Sequence, residues 1–315
     1  MNSGAFSYIS IIIILFTSSL LFCQRNEGSI RIAKSNYIKA IESKLYLYPD
    51  KSSDLLKHNA ARQGINNHDV INLDHYEISE KTLETFIQNR PSFFTQNIIV
   101  NNKKLKLAFE QVEIHSSDFR ITTGDGKEIF PDTRESLFYR GYIAGDVNSW
   151  ATLSVSDSKL QYLIACDEGN FEIYQTEKGK YTSKLNKNDN KGHSCHSSSE
   201  ISNIDHTLSN HHHSGTRSGN CLQVYMEVDR YTSLQFGTPS ATTNWVNALF
   251  LNVSTIYAIH DVPVVLSQIN IWTTQDPYAS MTDISTVRNQ FVNTLQNNYT
   301  GRIAHLLTTR PLGGG

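Results

Sequence analysis

An excess of charge of either sign is the first thing this sequence lacks. Lys and Arg total 28 against 30 Asp and Glu, a formal net charge of −2. That balance excludes a strongly basic nucleic-acid binder and an acidic solvating tail. Cysteine is scarce too: 4 in 315 residues are too few for a disulfide-dense scaffold. No apolar run reaches the roughly 20 residues that a spanning helix needs. Signatures of chemistry are also missing. No two histidines stand four apart and none is followed by Glu, so the helix-borne zinc motif is absent. There is no Gly-x-Ser-x-Gly elbow, no P-loop and no dinucleotide fingerprint.

What is present falls into segments. Ile9 to Phe22, ISIIIILFTSSLLF, is apolar and uncharged but too short for a span, and fits the core of a secretory signal over residues 1–23. The expected product is secreted, with no stable membrane span after signal removal. From about residue 104, runs such as KLKLAFEQVEIH, DFRITT, WATLSVSD and KLQYLIACD alternate with Gly/Asn/Asp turns. They predict an antiparallel β-rich region within 24–176. Residues 177–219 lose apolar periodicity and are Ser/Asn/His-rich, which reads as a linker at a domain boundary.

Periodicity returns at Cys221. LQVYMEVD alternates Leu222, Val224, Met226 and Val228 with a polar face. Val246, Leu249, Phe250, Val253, Ile256 and Tyr257 recur at helical spacing, as do Val287, Phe291 and Leu295, with a cap near Thr282 or Asp283. VPVVLSQINIWTT and IAHLLTT read as further strands. The expected fold class is an α+β multidomain chain: a β-rich region, then a β-α-β-α-β unit over 220–315.

Six of the 12 histidines fall between His193 and His213, and clustered imidazoles with Cys195 can bind zinc or copper; a polar linker also accumulates His without purpose. His260 and His305 read as core histidines. Cys166, in an apolar strand, reads as a buried inert thiol. Asn252 and Asn298 open N-glycosylation acceptor triplets.

Three runs carry a resemblance: CLQVYMEVDRY, ATTNWVNALFLNVSTIYAIHDVPVVLSQINIWTTQDPY and GRIAHLLTTRPLGGG. Residues 221–315 resemble the N-terminal half of a reprolysin-like zinc metallopeptidase of the metzincin, adamalysin-type group. LFYRGYIAGDVNSWATLSVSDSKLQYLIACDEGNFEIYQ resembles the propeptide that precedes such domains. The resemblance implies a secreted zymogen: a propeptide over 24–176, a partial metzincin-like α/β catalytic domain, zinc as cofactor and peptide or protein substrates. The family's H-E-x-x-H-x-x-G-x-x-H motif is absent, so no catalytic and no metal residue carries over. The chain is expected to be a truncated, inactive form. The family's calcium site draws an acidic residue from its first strand; Gln223, Glu227 and Asp229 stand in that neighbourhood with no choice among them. A propeptide Cys that caps zinc would correspond to Cys195 as latency thiol, and Arg217 is the candidate activation cleavage site. Two other readings stay open: a non-enzymatic propeptide-like inhibitor or binding module, and a His-rich metal-binding protein.

Overall fold

The structure is a computed structural model that describes residues 36–47, 53, 55–59, 74–130, 136–186, 221–296 and 298–312. The signal segment, Cys195, Arg217 and the histidines from His193 to His213 lie outside the described residues. In the first part, helices α1 (Asn36–Leu47) and α2 (Glu80–Asn89) accompany strands β1 (Lys57–Asn59), β2 (His75–Glu77), β3 (Phe93–Val100) and β4 (Lys103–Gln111). There follow β5 (His115–Thr123), β6 (Glu128–Ile129), β7 (Leu137–Ile143), β8 (Trp150–Ser156), β9 (Lys159–Cys166), β10 (Gly169–Glu177) and β11 (Lys180–Asn186). The last part holds β12 (Leu222–Val228), α3 (Arg230–Phe236), α4 (Pro239–Ile259), β13 (Val264–Ile271), α5 (Ile284–Leu295) and β14 (Ile303–Leu307).

Nine strands form one antiparallel sheet in the order β1-β2-β11-β10-β9-β8-β7-β4-β3, curled so far that it is nearly closed. Local chemistry sets its tight corners. Asn101-Asn102 and Asp157-Ser158 join β3 to β4 and β8 to β9, with φ of 50°, 61°, 49° and 55°. Two successive positive φ values give the primed turn whose twist suits a hairpin, and Asn and Asp tolerate them best. The strands then alternate. Leu107, Phe109, Leu153, Val155, Tyr162 and Ile164 point into one core with Leu83 and Phe86 of α2. Phe86, Phe94 and Tyr139 pack ring to ring at 5.1 to 5.6 Å between centroids. Ser79 caps α2 by accepting from the Thr82 amide.

A second, five-stranded sheet runs β14-β12-β13-β5-β6. Its β12–β13, β12–β14 and β13–β5 pairs are parallel. Val224, Met226 and Val228 turn one face toward Val246, Leu249 and Phe250 of α4. Tyr225 turns to the other, against Val287, Phe291 and Leu295 of α5. The two crossover helices therefore cover opposite faces.

This topology corrects the expected fold class. The chain is strand-rich and dominated by the barrel-like antiparallel sheet, and is not a β-rich region followed by a metzincin-like β-α-β-α-β unit. The second sheet is completed by β5 and β6, which precede the polar stretch. Alternation tells which residues form strands and is silent on which partner each strand takes. Two local expectations change as well. Lys180–Asn186, read as linker, is a strand paired with β10 and β2. Phe93–Val100, upstream of the expected β-rich start, is a full strand.

Candidate functional site

In open parallel sheets, ligand sites form beyond the carboxyl ends of strands where successive connections leave to opposite faces. Here that point lies between β12 and β13: the chain leaves β12 toward α4 and leaves β13 toward α5. The side chains gathered there are Glu227 of β12 and Asp229 just past it, Trp272, Asp276 and Tyr278 after β13, and Thr308 and Arg310 after β14.

Glu227 is fully buried, and its carboxylate is ringed by donors. One oxygen accepts from the Trp272 indole N–H and the Tyr278 hydroxyl, each at 2.6 Å, and the other from the Tyr225 hydroxyl. Burial, and then the charge of Glu227, raise both phenols far above the ordinary tyrosine value. They therefore stay protonated and remain donors.

Asp229 is fully buried and caps α3, accepting from the Thr232 amide at 2.8 Å. Its second oxygen takes the Thr308 hydroxyl at 2.7 Å and Arg310 Nε at 2.9 Å. Arg310 also donates through Nη1 to the Tyr278 carbonyl at 2.8 Å. Asp276 accepts from the Tyr278 amide at 2.7 Å and the Arg230 amide at 2.9 Å. The cluster ties the ends of three strands together, and each carboxylate is engaged from within the chain.

Glu227 and Asp229 each accept three hydrogen bonds and Asp276 two from within the chain, and among the described residues no group of three or more His, Cys, Asp or Glu is placed to hold a metal. The choice among Gln223, Glu227 and Asp229 stays open; Glu227 and Asp229 hydrogen-bond to groups beyond the ends of the neighbouring strands.

The remaining sequence candidates are scattered. Asn252 is half-buried on α4, its side-chain oxygen accepting from the Thr152 hydroxyl at 2.5 Å. Asn298 is exposed beyond α5. Cys166 and Cys221 are free and partly buried, and burial raises the Cys166 thiol. His305 is partly buried on β14, where burial holds its pKa below the usual histidine value. His260, expected in the core, is the exposed C-cap residue of α4.

Sequence reasoning missed Trp272, Asp276, Tyr278 and Arg310. A signal existed for Asp276: Asp-Pro after a strand marks a turn, and its carboxylate does bond the amide two residues on. No family model matches the sequence, and no curated protein matches it. Among solved structures, metalloproteinase-II from Bacteroides fragilis is similar, with 6% identity and a TM-score of 0.35. The match covers 69% of this chain and 65% of that one, so the chain spans less than two thirds of that protein.

Proposed function

We propose that this chain is part of a secreted, zymogen-type zinc metalloendopeptidase of the reprolysin kind, with peptide or protein substrates. The observation that supports the reading best is one of organisation. A β-rich unit with its own core precedes a polar stretch, and beyond that stretch lies a parallel-stranded unit that the first unit partly covers and completes. A latent precursor needs such a covering segment. On this reading residues 24–176 serve as propeptide, Cys195 is the latency thiol, and Arg217 is where activation cuts. The 315 residues contain no H-E-x-x-H, and no residue among them is assigned to zinc or to the reaction.

The test is capture of secreted material from the source with an antibody raised against residues 221–312. Chelator-sensitive cleavage of a denatured protein substrate by the captured material is expected. Captured material that cleaves nothing, yet binds an active protease tightly, would replace this reading with that of an inhibitor.

A further inference from the structure

Strand β5 belongs by sequence to the first unit and by pairing to the second. Between β4 and β7, which are neighbours in the large sheet, the chain leaves that sheet, makes the β5–β6 hairpin, and returns. Outside its sheet of origin the hairpin lies parallel along β13, matching Arg120 to Gln268, Ile121 to Ile269, Thr122 to Asn270 and Thr123 to Ile271. Strand addition of this kind draws affinity from the backbone and selectivity from side chains.

Both are present. The Leu266 amide donates to the Ile114 carbonyl at 2.8 Å, and the Gly124 amide to the Ile271 carbonyl at 2.9 Å. Ile114 and Ile121 are buried in the core that β13 and α4 build. A polar ladder fixes the register: Arg120 Nε donates to Gln268, Gln268 donates to Thr122, and Thr122 donates to Asn270, at 2.9 to 3.3 Å. Arg120 Nη2 reaches the Thr300 hydroxyl at 2.6 Å. Within the arm His115 meets Asn247 at 3.0 Å; beyond it Arg140 donates to Ser254 at 2.6 Å, Thr152 donates to Asn252 at 2.5 Å, and Phe138 of β7 is buried in the same core as Ile114 and Ile121. The arm, through Ile114, Phe119, Ile121 and Ile129, supplies most of the apolar side chains that the first unit places in or against that core.

We propose that the β5–β6 hairpin is a docking arm, by which residues 36–186 hold residues 221–312 as a separate chain would be held. A molecule cut between the two would persist as a one-to-one complex. The inference rests on the fold alone and stands or falls independently of any peptidase activity.

The experiment introduces a specific-protease recognition sequence into the polar stretch of the full chain, and cuts it. Size-exclusion chromatography and amide hydrogen exchange are then run at micromolar concentration. The expected result is co-elution of both pieces with the amides of residues 116–123 still protected. Arg120→Ala, which leaves the arm's apolar side chains intact, should speed dissociation of the cut complex about tenfold. Separate elution would overturn the proposal. So would co-elution with freely exchanging β5 amides, because another surface would then be holding the pieces.

Discussion

At the scale of single residues, buried charge decides most. Asp229 is the counter-ion of Arg310, whose side chain is 10% exposed, and also the cap of α3. Removing one partner of a buried pair leaves the other uncompensated, which costs about 3–5 kcal/mol. Asp229→Ala should lose about that much in urea unfolding, whereas Asp229→Asn, which keeps the capping oxygen, should lose less. Gly124 works by its lack of a side chain. A Cβ there would stand 2.2 Å from the Trp272 ring. Gly124→Ala should therefore push Trp272 off Glu227, at about 1–3 kcal/mol, by overpacking and by loss of that hydrogen bond. Among the three indole N–H resonances, that of Trp272 should lose its downfield shift and its exchange protection.

At the scale of elements, α4 is the hinge between the two sheets. Its apolar stripe lies on β12 and β13, while Asn252 and Ser254 meet the outer face of the large sheet and Asn247 meets His115 of β5. A small cavity in that seam is lined by Thr152, Gln161, Glu172 and Asn252. Burial raises the pKa of Glu172, against the opposing pull of Lys184 and of the Asn186 amide at 3.1 Å. Below the unfolded-state value both states are protonated and stability is intact. Between that value and the raised folded one, the unfolded chain releases a proton that the native chain keeps, so stability falls as pH rises, then levels off. Glu172→Gln should flatten that fall in the urea midpoint measured against pH. Much at this scale was legible. Val246, Leu249 and Phe250 mark α4, and Asp283 caps α5 through the Ser285 and Thr286 amides. The alternation of LQVYMEVD marks β12. Its second face, read as polar, is buried as well: Tyr225 packs against α5, and Glu227 is covered by Trp272 and Tyr278 after β13. The pairing of DFRITT with β13 was not legible at all. Nothing local in a strand specifies a partner 148 positions away.

For the whole molecule, the sequence offered function only as a resemblance, and the cluster at the strand ends went unread because its groups come from three separate turns. The purified 315-residue chain should show no chelator-sensitive peptide cleavage, and added zinc should not start any. Zinc-dependent turnover by this product would contradict that expectation directly. The arm adds a consequence for how the protein is made. During synthesis at about 5–20 residues per second, β5 emerges roughly 7–30 s before the strand it will lie against. From the emergence of β11 until that of β13, the completed barrel-like sheet displays a naked ribbon with Ile114 and Ile121 uncovered. A ribosome-bound chain at this stage is a natural client for holdase chaperones, and a mutation that stalls translation ahead of Val264 should express itself as aggregation.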